Sequence, residues 1–191
     1  AHIQKIKSQG EDRFESRHRR KDGSIFDIEA SVQYQFVEDG RFVVFIHDIS
    51  ERKRTEETLV KLEKAIYTSG EAIFLTDREG VFTFVNPAFT SLYGFSSDEL
   101  IGKTTPRIIN SGVLDKSIYK VFWETLLNGN EVRGERINKR KDGTLMNIDG
   151  SATPIIDEEK KIIGFLGIQR NITERKRAEE ELTEKELFLR E

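Results

Sequence analysis

The pattern of apolar and polar positions along this chain occurs twice. In each copy, strand-sized apolar runs such as Phe42–Ile46 and Ile162–Ile168 are separated by turns that contain glycine. A charged segment with apolar residues every three or four positions follows directly, which predicts a helix. The repeat therefore predicts two copies of a three-stranded meander, each running into a helix. The predicted strands are 13–20, 24–36 and 41–49 in the first copy, and 131–140, 144–153 and 162–172 in the second.

The copies share short motifs as well as the hydrophobic pattern. Arg-Lys-Asp-Gly occurs at 20–23 and 140–143, and an Ile-Ser/Thr-Glu-Arg-Lys-Arg run occurs at 49–54 and 172–177. Asp-Gly and, at 38–40, Glu-Asp-Gly are hairpin signals, because glycine tolerates the positive φ of tight turns. A repeat of this kind is typical of a modular array.

Only the second copy is preceded by further elements. Strands are predicted at 72–77 and 81–86, then short helices and one longer helix at 115–127 whose inward stripe is Ile118, Val121, Phe122 and Leu126. This order predicts an α+β fold in which helices are segregated from an antiparallel sheet. The predicted organisation is half of a truncated module at 1–49, a connecting helix at 50–69, a complete module at 70–173 and a second helix at 174–191.

The two long helices carry a heptad-like spacing. Ser50 and Thr173 are the predicted N-caps. The apolar stripe predicts a coiled coil and a homodimer, while a single amphipathic helix lying on its own domain is the alternative. The stripe positions are Thr55, Leu59, Leu62 and Ile66 in one helix, and Ala178, Leu182, Lys185 and Leu189 in the other.

Composition excludes several function classes. A net charge of −3 favours neither nucleic acid nor an anionic membrane as a partner. The chain has no Cys, so it holds no disulfide and no thiolate metal site, and we expect no metal. It contains no nucleophile triad, phosphate-binding loop or His-x-x-x-His motif, and we expect no enzyme activity from it. A cytoplasmic piece of a larger protein is the expectation.

A set of short strings, in this order and spacing, resembles the PAS sensory domain. The resemblance covers 70–173 fully and 1–50 as the second half of another PAS domain. It implies a five-stranded antiparallel sheet with helices on one face and a pocket between them. It also implies a sensor or relay module whose exit helices carry the signal and dimerise, within a histidine kinase, a cyclic-dinucleotide enzyme or a chemoreceptor. The strings lie at 76–80, 85–89, 93–95, 99–103, 140–143 and 171–175.

The resemblance also nominates pocket residues. Asn138 and Gln169 match amides that contact the flavin ring in light-sensing PAS domains, but Pro106 stands where their reactive Cys would be, which excludes covalent photochemistry. A second amide expected on the middle strand falls at Ile148. Arg107 and Asn110 lie in the stretch that corresponds to the cysteine motif. Trp123 matches a Trp that lies beside the FAD of non-covalent redox sensors.

Other interpretations of the same pocket stay open. Trp123 is equally a core aromatic, and Asn138 and Gln169 can satisfy buried backbone groups. A small organic acid could pair with Arg107 or Arg133. Haem is disfavoured because residues 70–173 contain no His. A pocket filled by its own side chains, with no cofactor, is the leading expectation, with flavin as the alternative.

The end of each repeat is the predicted point of signal transmission. In many PAS domains an Asp just before the exit helix ties the last strand to that helix. Simple helix capping by the same residues is the alternative. The nominated residues are Asp48, Ser50 and Glu51 in the first copy, and Asn171, Thr173 and Glu174 in the second.

Overall fold

The computed structural model describes residues 2–35, 40–113 and 115–189. They fall into two units that divide between Lys64 and Ala65. The Glu38-Asp39 part of the predicted hairpin turn and the last two residues of the predicted second helix lie outside the described residues.

The first unit contains the first meander. A short helix, α1 (His2–Gln9), ends at Gly10, and three antiparallel strands follow in the order β1 (Glu11–Arg19), β2 (Ile25–Gln35) and β3 (Arg41–Asp48). Ile6 of α1 packs on the buried β2 side chains Ile28, Ala30 and Val32. Helix α2 (Ser50–Thr68) follows β3 and crosses the division between the units.

The second unit contains the five-stranded antiparallel sheet that the sequence predicts, with strand order β5-β4-β8-β7-β6. Helices α3 to α5 are inserted between its second and third strands in chain order, which confirms the α+β fold. The strands are β4 (Ala72–Asp77), β5 (Phe82–Val85), β6 (Val132–Lys139), β7 (Leu145–Ile156) and β8 (Ile162–Asn171). The helical elements are α3 (Pro87–Tyr93), α4 (Ser97–Leu100), a 3-10 turn (Pro106–Ile109), α5 (Lys116–Leu127) and α6 (Thr173–Phe188).

One buried amide fixes the position of α3. The Asn86 Oδ1 atom accepts from the N–H groups of Phe89 and Ile73, both at 2.9 Å, and its Nδ2 donates to the Glu71 carbonyl at 2.9 Å. Pro87 begins the helix, and Gly94 ends it with a φ of 77°. Asn86 therefore joins the helix cap to strand β4, and this brings Tyr93, at the other end of α3, into the core.

One predicted detail of the helices is wrong. Ile118 and Val121 were expected on the inward stripe of α5 but are 50% and 61% exposed, because α5 contacts the sheet through Leu126 and through Trp123, whose ring lies edge-on to Phe165 at 5.6 Å. Helix α4 is capped by Ser96, which forms a capping box with Glu99.

Candidate functional site

All five nominated pocket residues line one cavity of the second unit. It has a volume of about 1070 Å³ and is bounded by strands β4, β6, β7 and β8, the 3-10 turn and α5. Most of its wall is apolar, which suits a small organic ligand. The nominated residues on its wall are Arg107, Asn110, Trp123, Asn138 and Gln169, and the main apolar ones are Phe74, Ile109, Phe122, Leu126 and Phe165.

The two strand amides share a partner that the sequence analysis missed. The Tyr93 hydroxyl accepts from Asn138 Nδ2 at 2.7 Å and donates to Gln169 Oε1. Tyr93 is fully buried, and this burial raises the pKa of its hydroxyl far above the ordinary value, so the group stays a neutral donor. Asn138 and Gln169 are therefore held across the sheet by one phenol. Their predicted role as flavin contacts stays a prediction.

The other three nominated residues lie at different depths of the cavity wall. Asn110 Oδ1 accepts from the Gly112 N–H at 2.8 Å and from the Tyr119 hydroxyl, which orders the end of the 3-10 turn. Trp123 is half-buried against Phe165, and Arg107 is exposed. The packing of Trp123 agrees with its interpretation as a core aromatic. Ligand contact by Arg107, Asn110 or Trp123 stays a prediction.

A second missed residue places a cation in the cavity wall. Arg136 lies on β6 between Gly134 and Asn138 and is half-buried, and all three line the cavity. Its guanidinium donates to the Gly150 carbonyl at 3.2 Å and lies 5.2 Å from the centre of the Phe122 ring. Burial lowers the pKa of Arg136 from its ordinary value. The alternation of side chains along β6 could have identified Arg136 from the sequence, because it puts Arg136 on the same face as Asn138.

In the first unit, the last strand meets helix α2 in a joint built from three consecutive residues. The Asp48 carboxylate accepts the N–H of Ser50 at 3.0 Å, and the Ser50 hydroxyl accepts the N–H of Asp27 on β2 at 3.0 Å. Between them, the Ile49 N–H donates to the Asp27 carbonyl at 3.0 Å while its side chain is buried. The start of α2 is therefore attached to the central strand of its sheet.

The second unit repeats the three hydrogen bonds of this joint. The Asn171 side-chain oxygen accepts the N–H of Thr173 at 2.9 Å, and the Thr173 hydroxyl accepts the N–H of Asn147 on β7 at 3.0 Å. Ile172 is buried, and its N–H donates to the Asn147 carbonyl at 2.9 Å.

The predicted capping role of Ser50 and Thr173 is wrong. Each is the first residue of its helix, and its hydroxyl binds a neighbouring strand instead of a helical N–H. The capping oxygens belong to Asp48 and Asn171.

A carboxylate on the first strand of each meander binds the first helical turn. Glu15 pairs with Lys53 at 2.7 Å and with Arg52 at 3.2 Å. Glu135 pairs in the same way with Arg175 at 2.9 Å and with Lys176. The other nominated residues, Glu51 and Glu174, are exposed in the first turn, and neither side chain joins these contacts.

The joints differ in charge. Asp48 also forms an ion pair with Arg20 at 2.6 Å. Hydrogen bonds from Ser50, together with Arg20, lower the pKa of Asp48 to about 2. At the matching position the neutral Asn171 has its Nδ2 3.8 Å from the Met146 sulfur, and it carries no charge to titrate.

An antiparallel sheet enclosing a ligand-sized cavity, with helices leaving its last strand, is the architecture of a sensory module, and comparison with known proteins agrees. Residues 61–172 match the profile of the PAS fold family, and residues 1–51 match a PAS domain profile. The chain belongs to the PAS family. A role in sensory signalling follows, since the relatives are signalling proteins.

Individual relatives show how much of each protein is shared. A nitrogen fixation regulatory protein of Klebsiella pneumoniae is 35% identical over 53% of this chain, which is 20% of that protein. The hybrid signal transduction histidine kinase L of Dictyostelium discoideum is 25% identical over 64% of this chain and 7% of its own length. The solved PAS domain of a Colwellia psychrerythraea protein superposes with a TM-score of 0.57 and 28% identity, covering 61% of this chain and 98% of that domain.

The chain thus spans about a fifth of its nitrogen fixation relative. Across the described ranges, none of the helices has the length and apolar character needed to cross a membrane.

Proposed function

We propose that this chain is a relay module that passes a change in the cavity of the second unit to helix α6 through the joint at Asn171–Thr173. The observation that carries the proposal is the repetition of that joint in the first unit, down to the hydroxyl that binds the central strand. A contact set built twice at the start of an exit helix favours a common task over incidental capping.

The strands that line the cavity also carry the joint. Gln169, which binds Tyr93, lies two residues before Asn171 on β8. On β6, the cavity residue Asn138 is on the same strand as Glu135, which binds the first turn of α6. A ligand that displaces the Tyr93 hydroxyl from Gln169 would shift the end of β8, and the helix would have to follow or detach. In the proposed relay, the end of β8 and the start of α6 act together as a two-state element that both sites bias.

The output is proposed to be carried by homodimeric α6 helices. Leu182 and Leu189, on the predicted stripe, are 60% and 83% exposed in the described structure, and pairing of two copies would bury them. We place the chain in the cytoplasm, upstream of a kinase or other output domain of the same protein. The histidine kinase relative supports the output domain.

Cysteine cross-linking along α6 tests the relay. The chain has no Cys of its own, so single cysteines introduced at each position from 180 to 186 report which face of α6 meets its partner. The cavity is perturbed by Gln169→Leu, which removes the acceptor of Tyr93. Ile163→Ala, an exposed site on the same strand, is the matched control.

The relay predicts that Gln169→Leu moves the positions of fastest cross-linking around the helix, and that Ile163→Ala leaves them in place. Adding Thr173→Val to Gln169→Leu should abolish this movement of the cross-linking positions, since the hydrogen bond between the start of α6 and β7 is then lost. An unchanged pattern in every variant would contradict the relay and leave a module used only for dimerisation. Cross-linking at none of the positions would contradict the dimer as well.

A flavin redox sensor is the second candidate, because all five residues nominated for flavin line one cavity. Its test is the visible absorbance spectrum of the purified chain after incubation with FAD or FMN and removal of excess. A bound oxidised flavin whose spectrum weakens in Gln169→Leu would support it. A colourless protein would contradict it.

A further inference from the structure

We infer that the cavity binds a small organic anion with an aromatic or other apolar body, and that Arg136 is the residue that anchors its charge. Comparison of the arginines on the cavity wall singles out this side chain. Arg107 is exposed, and Arg133, also exposed, is already paired with Glu131 at 2.7 Å. Arg136 alone among these three is half-buried.

The guanidinium of Arg136 has spare bonding capacity. Among the described residues, no carboxylate lies within 4.0 Å of it, and its direct contacts are one backbone carbonyl and the Phe122 ring. Asp149 acts on it only through longer-range electrostatic attraction. An arginine side chain offers five N–H donors in a planar fork that matches a carboxylate. A half-buried cation without a directly bound anion costs stability, and an anion entering the cavity would offset that cost.

The rest of the wall defines the body of the ligand. Phe122, Trp123 and Phe165 contribute aromatic surface, and the volume of about 1070 Å³ admits a molecule of one or two rings. Burial of apolar surface would supply affinity, while the Arg136 fork would fix the orientation. The inference deepens the proposed relay by naming the chemistry of its ligand.

Two fluorescent probes that share an aromatic body distinguish the contribution of the charge to binding from the contribution of the body. Anilinonaphthalene sulfonate carries an anionic group, and phenylnaphthylamine is its neutral counterpart. The chain contains one Trp, Trp123, in the cavity wall, so energy transfer from it reports probe bound in or near the cavity. The substitution of Arg136 then decides whether the probe lies at the proposed site. Arg136→Met keeps the apolar stem and removes the charge, and Arg133→Met is the matched control on the same strand.

The anion site predicts that Arg136→Met weakens binding of the sulfonate roughly tenfold or more, while binding of the neutral probe is unchanged. Arg133→Met should change neither. Equal weakening of both probes, no weakening of the sulfonate, or binding without energy transfer from Trp123 would each overturn the inference.

A displacement experiment on the unmodified chain covers the case in which Arg136→Met does not fold. Phenylpropanoate should displace the sulfonate probe at much lower concentration than phenylpropanamide, which has the same body without the charge. Equal displacement would overturn the anion site. Because binding is read at Trp123 and the relay at α6, that result would leave the relay standing, and an unchanged cross-linking pattern would leave the anion site standing.

Discussion

At the first joint a carboxylate, Asp48, accepts the N–H of Ser50, whereas at the second a neutral amide, Asn171, accepts that of Thr173. The bond to the central strand, the buried isoleucine and the carboxylate on the first strand are the same in both units. The shared geometry therefore depends on an oxygen acceptor at this position and does not depend on its charge. Charge is what distinguishes the two joints.

Removing the buried isoleucine should have the largest effect. Ile172→Ala leaves a cavity where the side chain is 3% exposed, and we expect the unfolding free energy of the second unit to fall by about 2–5 kcal/mol in urea titrations. Ile49→Ala, at 2% exposure, should do the same to the first unit. Ile163→Ala, at a position of β8 that is 54% exposed, should change stability by less than about 0.5 kcal/mol. A similar small loss for Ile172→Ala would show that the joint is not packed as described.

Removing the hydroxyl that binds the central strand should have an intermediate effect. Thr173→Val leaves the Asn147 N–H without its acceptor, at an expected cost of about 1–3 kcal/mol by urea titration. Ser50→Ala should have a comparable effect through Asp27. Thr183→Val removes only an exposed bond to the Glu179 carbonyl within α6 and is the control. If Thr173→Val were no worse than Thr183→Val, the bond across to β7 would have no energetic role.

Acid should distinguish the joints by charge. The folded pKa of Asp48, about 2, lies below its ordinary value of 3.8. Its contribution to stability is therefore present above the ordinary value and is lost as the pH falls toward about 2. We expect the thermal midpoint of the first unit to decrease less with falling pH in Asp48→Asn than in the unmodified chain. Thermal unfolding followed by circular dichroism at several pH values measures this.

The reciprocal exchange sharpens the same test. Asn171→Asp places a titratable group at the second joint, and we expect it to give the second unit an acid dependence of the same direction. Acid profiles that are identical before and after both exchanges would mean that neither carboxylate is held by its joint.

Loss of the first-strand carboxylate should have the smallest effect. Glu15→Gln and Glu135→Gln remove exposed ion pairs, which contribute little and are screened by salt. We expect a slight lowering of the thermal midpoint at low ionic strength that disappears at about 1 M NaCl. A lowering that persists in high salt would show a packing role instead.

The repeat in the sequence was sufficient to locate the strands of both meanders, the exit helices and the positions of both joints, because alternation and turn motifs are local signals. It did not give the partners of Ser50 and Thr173, since a hydroxyl before a helical run has the same local pattern whether it caps the helix or binds a strand. Tyr93 was missed for a related reason. Its partners Asn138 and Gln169 are 45 and 76 residues away, and only the folded sheet brings them together. The predicted inward stripe of α5 was partly wrong, because helical periodicity does not reveal which side of a helix packs on the sheet.

The basic residues that follow each joint have a consequence for local melting. Cations near the first turn of a helix oppose the positive end of the helix dipole, so Arg175 and Lys176 disfavour the start of α6 in isolation. Glu135 compensates them only while the helix is docked on β6. Detachment would thus leave this turn to fray, and its amide protons should exchange with solvent as soon as the helix lifts from the sheet. The same holds for Arg52 and Lys53 of α2. The first turn of each helix is therefore stable only while the helix is bound to its sheet.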